Sequence, residues 1–253
     1  MKNIRQFRTA AAHALDLLMP RTCWLTGAPI QNGGVPLIPG IQEELAALVQ
    51  GRYCHRCGAD RLPGTASCPF CPNRRLGIAE IIRVGAYAHP LKELITQFKF
   101  SRHWGLAPLL AAQMAEAWRR AGQPRMDVLV PIPLHWRREF GRGFNQSREL
   151  ARFLGRQIGV TAYDGLVRRK SSGQQATALS VHQRRENLRG AFASKPVDWS
   201  GQEVWLVDDV CTTGSTLHAA AGAFAALPGE FQPARINAIV LAVTGLKTAT
   251  RGM

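Results

Sequence analysis

The sequence predicts an α/β fold: an open, mostly parallel sheet with helices on its faces, preceded by a small N-terminal lobe. Three observations carry that prediction. From Ile81 onward, apolar runs of strand length alternate with helical patterns, the signature of parallel strands joined by crossover helices. Residues 21 to 80 are instead rich in Gly, Pro and Cys, with little sustained apolar periodicity, so that segment needs a staple to fold. The length, 253 residues with 46% hydrophobic content, suits one α/β domain with a buried core and a smaller appendage. The boundary falls near residue 80, giving an N-terminal module of 1–80 and an α/β domain of 81–253.

In chain order, Met1 to Pro20 carries apolar residues at Ile4, Phe7, Ala11, Leu15 and Leu18 with arginines between them, and reads as a short amphipathic helix. It has no continuous apolar core of the kind a signal peptide needs. The longest apolar stretch elsewhere, Ile236 to Val243, is interrupted by Asn237 and is far shorter than the ~20 residues that cross a bilayer. No membrane span and a cytoplasmic location are therefore expected, and the six cysteines should be reduced. Paired cysteines then mean metal before disulfide.

Cys54-x-x-Cys57 and Cys68-x-x-Cys71 form two such pairs, with ten residues between them. That spacing lets four thiolates meet in a tetrahedron around a structural Zn²⁺. His55, inside the first pair, reads as exposed rather than ligating. One short helix is expected over Ile41 to Val49.

Strands are predicted at Ile81 to Tyr87, Val128 to Ile132, Val204 to Val207 and Ile236 to Val243. Helices are predicted at Leu91 to Phe98, Leu106 to Ala121, Phe144 to Ile158 and Ser215 to Leu227. Residues 170 to 183 are too polar for a core and too long for a tight connection; they read either as a mobile lid or as a passive loop.

The chemistry concentrates after the third strand. Asp208 and Asp209 follow Val204-Trp205-Leu206-Val207 directly, at a strand's carboxyl end, where open α/β sheets place their ligands. The connection Val210-Cys211-Thr212-Thr213-Gly214-Ser215-Thr216 offers four hydroxyls, a glycine that admits close backbone approach and the positive end of the next helix. Those are the parts of a phosphate cradle. Two carboxylates a few Å apart cannot also face a phosphate, so they address ribose hydroxyls or a bridging Mg²⁺. The ligand is a sugar phosphate. No Gly-x-x-x-x-Gly-Lys and no Gly-x-Gly-x-x-Gly is present, which excludes the common nucleotide loops.

A second anion site is expected upstream, where Val130 to Gln146 leaves a strand and enters a helix. Arg137, Arg138 and Arg142 beside Gly141 and Gly143 suit a pyrophosphate group. Arg148, Arg152 and Arg156 then recur every four residues on one helix face, as a nucleic-acid stripe or a solvated face. Trp136 beside these arginines would stack a base, or pack under a hood. The formal charge of +15, from 32 Lys and Arg against 17 Asp and Glu, attracts polyanions or serves solubility.

Val-Asp-Asp-Val-Cys-Thr-Thr-Gly-Ser-Thr, residues 207–216, resembles the signature of type I phosphoribosyltransferases. Pro131-Ile132-Pro133-Leu134-His135, Arg138, Arg142-Gly143-Phe144-Asn145-Gln146, Gln175, Arg185, Asn187 and Gly190-Ala191-Phe192 narrow the likeness: the chain resembles the ComF family. The resemblance implies a phosphoribosyltransferase-like fold with a zinc module, binding 5-phosphoribosyl 1-pyrophosphate with Mg²⁺ and handling single-stranded DNA during DNA uptake. It also implies a competence helicase or DNA-processing protein as partner. Residues 91–100 share the likeness and place Lys99 near the site, where it joins Trp136 and the Arg148 stripe as a nucleic-acid contact. Relatives often carry an earlier Cys-x-x-Cys, but here Cys23 is followed by Thr26. Cys23 is then a spare buried thiol, or a replacement ligand.

Three function classes follow: a phosphoribosyl- and DNA-binding factor, an active phosphoribosyltransferase on a small acceptor, or a zinc-ribbon adaptor. In the enzymatic case Mg²⁺ and the arginines would neutralise departing pyrophosphate as charge develops at the anomeric carbon. No acceptor pocket is legible.

Overall fold

The structure is a computed structural model that describes residues 22–30, 36–61, 64, 67–73, 76–100, 105–169, 188 and 190–245. The expected N-terminal helix, the 170–183 segment and Gln175, Arg185 and Asn187 lie outside the described residues.

A five-stranded, wholly parallel sheet organises the chain. It comprises β1 (Ile81–Ala86), β2 (Val128–Pro131), β3 (Thr161–Ala162), β6 (Glu203–Cys211) and β7 (Arg235–Val243), in the order β1-β7-β6-β2-β3. The central strands are continuous apolar runs because both of their faces are covered by helices. Trp205, Val207, Ile239 and Leu241 belong to one buried cluster, and Val204, Leu206, Ala238 and Val240 to the other.

The first cluster is roofed by α2 (Leu91–Phe100), α3 (Leu106–Arg120) and α5 (Gln146–Ile158). The second is closed by α6 (Ser215–Ala225) and by the antiparallel pair β4 (Leu166–Arg168) and β5 (Phe192–Ser194). Trp199 anchors that side, packing edge-on against Phe224 and donating its Nε1–H to Ser194 Oγ at 2.9 Å. Helix α1 (Pro39–Val49) starts with proline at its first position, and buries Ile41, Leu45 and Val49 in the same cluster as Ile82, Leu91 and Met114. This is the phosphoribosyltransferase-like architecture, with the four cysteines in a small N-terminal lobe.

Each predicted strand and helix of the α/β region is present, with two differences that bear on the site. Strand β6 does not end at Val207. It continues to Cys211, with Asp208 in register with Val240 and Cys211 with Val243, because the apolar run of β7 keeps supplying ladder partners. Val210 and Cys211, expected in the connecting loop, are therefore strand residues, and the turn proper is Thr212 to Gly214. Second, the arginine-bearing segment after β2 is not all loop: Trp136–Arg142 forms the short helix α4.

Candidate ligand site and cysteine cluster

The acidic pair sits where β6 meets the amino ends of two helices. Asp208 Oδ1 accepts the Ser147 hydroxyl at 2.9 Å and the Asp209 backbone N–H at 2.9 Å. Asp209, nearly buried, pairs with Lys99 Nζ at 3.0 Å. Lys99 lies in the last turn of α2, where its cation also offsets that helix's negative end. It is thus brought to the acidic pair itself. Burial, and then the charge of Asp209, push the Asp208 carboxyl up to about 7, while Ser147, the Asp209 N–H and Lys99 pull the other way. The pair is short of positive charge or of hydrogen-bond donors, which is the deficit that ribose hydroxyls or a hard cation would fill.

The turn after β6 opens directly onto α6. Gly214 takes φ 79°, a left-handed conformation that favours glycine, and a side-chain carbon there would also run into Leu76 Cδ2. Two independent constraints therefore require glycine. Gly214 is the N-cap of α6 and supplies no side-chain cap, so apart from a long Ser215 N–H contact to Thr213 the positive helix end can serve another acceptor. Thr213 Oγ1 and Ser215 Oγ lie 2.8 Å apart, and Ser215 N–H donates to Thr213 Oγ1 at 3.4 Å, which holds both hydroxyls at the turn. Thr212 is exposed and Thr216 partly so, whereas Cys211 is buried beneath the turn and packs in the second core. Cys211 is a floor residue.

The upstream segment is tied down by Asn145. Its side chain accepts the Ser147 and Arg148 N–H groups at 3.0 and 3.3 Å as the N-cap of α5, and donates to the Ile132 carbonyl at 3.1 Å. That one buried amide fixes where Ser147 stands relative to Asp208. Gln146 accepts from Arg142 Nη1 at 3.1 Å, and its Nε2 is buried without a partner among the described residues. Arg142 also lies over Phe100, 5.2 Å from the ring centre. Gly143 takes φ 81° in an exposed turn. The backbones of Arg137 and Arg138 lie in α4, and Trp136, 66% exposed, tilts against His135.

The arginines of α5 do not behave as one stripe. Arg148 is bound to Glu139 at 2.7 Å and to Asp164 at 3.1 Å, tying α4 to the β3–β4 connection. Arg152 reaches Glu149 at 3.6 Å, and both Arg152 and Arg156 lie against the Phe153 ring. Sequence reasoning missed Ser147, Asn145 and Gln146 as shapers of the site. Asn before a helical pattern was a readable cap signal; the pairing of Ser147 with a residue 61 positions away was not.

The four cysteines converge. The Sγ atoms of Cys54, Cys57, Cys68 and Cys71 all lie within 4.8 Å of one another, with Cys54 to Cys71 and Cys57 to Cys68 each at 3.5 Å. Thiolates held 2.3 Å from a shared zinc ion would stand roughly 3.8 Å apart, so the arrangement fits a tetrahedral soft cation. Burial, the thiols facing it and the Cys54 charge push Cys57 well up, and burial with the Cys54 hydrogen bond raises Cys71 to about 11. Four ionised thiols at these distances require a cation.

Cys23 is not part of this cluster and is buried in the main core. Its turn nevertheless copies the first knuckle. Cys23 N–H donates to Ala28 O at 2.7 Å and Gly27 N–H to Cys23 O at 2.8 Å; Cys54 N–H donates to Ala59 O at 2.8 Å and Gly58 N–H to Cys54 O at 2.7 Å. Thr22 bridges Pro29 as Tyr53 bridges Asp60, and Gly27 and Gly58 share φ values of 71° and 74°. Thr26 stands where Cys57 stands, its hydroxyl taking the Ala28 N–H at 3.3 Å. Cys23 is the spare thiol.

Among the described residues, no helix is long and apolar enough to cross a membrane. No family model matches the chain. Curated proteins do. Competence protein F of Haemophilus influenzae is 31% identical over 188 residues, covering 72% of this chain and 81% of that protein. DNA utilization protein YhgH of Escherichia coli is 34% identical over 209 residues, covering 79% and 89%. Competence protein ComFC of Bacillus subtilis is 30% identical over 179 residues, covering 68% and 71%.

Proposed function

This chain belongs to the ComF family, and from that premise we propose that it serves DNA uptake and use by binding a ribose-linked phosphate, 5-phosphoribosyl 1-pyrophosphate or a close relative, and by handling single-stranded DNA in the cytoplasm. The observation that carries the reading is the junction at the end of β6. An acidic pair with a raised carboxyl stands directly before a glycine-capped helix end that has no side-chain cap of its own. A sugar phosphate complements both halves at once: its hydroxyls donate to Asp208 and Asp209, and its phosphate accepts from the Thr212 to Thr216 turn.

The hard-oxygen donor set also fits Mg²⁺ carried in by the ligand, held by Asp208 or Asp209 together with phosphate oxygens. Bound there, the ion would neutralise pyrophosphate charge. Arg142, which donates to Gln146, and the Gln146 Nε2 that has no partner among the described residues support a pyrophosphate contact by this segment, with Arg137, Arg138 and Gly143 assigned to it from the sequence. The four-cysteine cluster reads as a structural zinc site, since four thiols this close could supply all four ligands that a tetrahedral zinc takes. A competence helicase or DNA-processing protein as partner rests on family membership alone.

Calorimetric titration with 5-phosphoribosyl 1-pyrophosphate and Mg²⁺, repeated with a short single strand present, tests the reading. Saturable heat is expected from the intact chain and its loss from Asp209→Asn. Absence of heat from the intact, zinc-loaded chain would overturn the ribose-phosphate assignment. Release of pyrophosphate on adding a nucleobase would instead favour the transferase reading.

A further inference from the structure

A basic cavity whose lining shares no residue with the β6 junction lies at the seam between the cysteine lobe and α3. It encloses about 400 Å³ and is lined by Arg52, Arg61, Arg83 and Arg120 with Tyr53 and His55. Among the described residues, no Asp or Glu lines it. Two carboxylates that meet lining residues are already engaged, Asp60 with Arg83 and Glu80 with His55. Arg83 is the unusual member. It projects from edge strand β1, is only 3% exposed, lies 5.0 Å over the Tyr53 ring, and keeps an Nε without a partner among the described residues. Arg52 and Arg120 are exposed, with no side-chain ion pair or hydrogen bond among the described residues.

Guanidinium groups gathered on one concave surface repel one another unless an anion joins them, and the planar fork of arginine matches phosphate oxygens. The cavity is of nucleotide size and has an aromatic wall. Tyr53 and His55 stack at 4.9 Å and 19°, and the His55 side chain is 54% exposed, leaving ring surface for a base. The wall is also shared: Tyr53, His55 and Arg61 border a larger cleft of about 930 Å³ that carries Arg56 and runs past the cysteines. A basic lining that continues from one hollow to the next suits a polymer better than a lone anion.

We infer that this seam seats a nucleotide unit of a single-stranded nucleic acid, its phosphate among Arg52, Arg83 and Arg120 and the strand continuing past His55 and Arg61. The inference rests on the strand-handling reading given above and adds a location to it, separate from Asp208 to Thr216.

Fluorescence anisotropy of a labelled 15-nucleotide thymidine strand, titrated against salt with the full zinc-loaded chain, tests it. Arg52→Gln/Arg120→Gln changes two exposed side chains and should weaken binding several-fold at low salt. It should also flatten the dependence of log affinity on log salt by about 1.4, since each lost phosphate contact on a single strand contributes about 0.7. Arg125→Gln/Arg235→Gln removes the same charge beside the amino ends of β2 and β7, and should leave that slope unchanged. Unaltered affinity and slope in the Arg52/Arg120 variant, or equal losses in both variants, overturn the inference alone. No strand binding by the intact chain overturns the strand-handling reading and this inference together. If the variant instead loses binding of inorganic phosphate while keeping the strand, the cavity is a small-anion site and the inference fails.

Discussion

Asp208 makes the folded chain's stability depend on pH in an unusual direction. An ordinary aspartate titrates near 3.8, and burial beside Asp209 raises this one to about 7. Between those values the folded chain binds a proton that the unfolded chain has released, so this group's stabilising contribution is complete below pH ~4, declines as pH rises and is gone above ~7. The full displacement corresponds to ~4 kcal/mol at 1.36 kcal/mol per unit, an upper figure because Lys99 and Asp209 respond to the same change. Asp208→Asn replaces the carboxyl with a neutral group that can still accept from Ser147 and Asp209 N–H. The variant should match the native chain at pH ~4, already exceed it slightly near pH 5, and exceed it at pH 8 by up to ~4 kcal/mol, roughly 10 °C in midpoint for a domain of this size. Urea unfolding followed by tryptophan fluorescence at several pH values between about 4 and 8, without ligand, measures this. Effects common to both proteins, such as protonation of the cysteine ligands, cancel in the difference. A variant less stable than the native chain at pH 8, or a difference that stays flat across the range, would refute the reasoning. The same substitution should abolish sugar-phosphate binding, separating stability from function at a single atom pair.

The remaining predictions concern the site's supports. Gly214→Ala should cost roughly 1–3 kcal/mol from its positive φ and from the encounter with Leu76, and adding Leu76→Ala should recover only the steric part, read by chemical denaturation. Asn145→Ala removes a cap that serves two N–H groups and leaves the Ile132 carbonyl without its donor, so a loss of about 2 kcal/mol is expected; Asn145→Asp, which keeps the cap, should lose less. One zinc per chain is expected by metal analysis. Cys57→Ser should release it and lower the melting temperature, while Cys23→Ser should leave the metal content unchanged.

The central strands and their helices were readable because both kinds of element declare themselves within a few residues: continuous apolar runs for buried strands, four-residue recurrence for helices. The acidic pair and the turn were readable for the same reason, being contiguous from Asp208 to Thr216. What escaped was settled by distant residues. β6 runs to Cys211 because β7 happens to stay apolar as far as Val243. Arg148 looked like one tooth of a periodic face, but Glu139 and Asp164, which neutralise it, come from other elements. Lys99, placed near the site by the family likeness and assigned there to nucleic acid, stands against Asp209, a partner 110 positions away that no local pattern announces. Helix α4 gave no signal, since seven residues with a glycine among them contain barely two turns of pattern.

The two look-alike turns at Thr22–Pro29 and Tyr53–Asp60 separate what a metal ion does from what the backbone does unaided. The earlier turn keeps its hydrogen bonds and its left-handed glycine with a threonine where the later one has Cys57 of the cluster. A coordinated ion is therefore not what bends the chain there. In the later turn an ion held by the four thiols would act at long range: it would tie Cys57 to Cys68, 11 residues on, and Cys54 to Cys71, 17 residues on, much as a buckle closes a strap already cut to shape. Demetallation should consequently release the strap between the two pairs while each bend keeps its own local geometry.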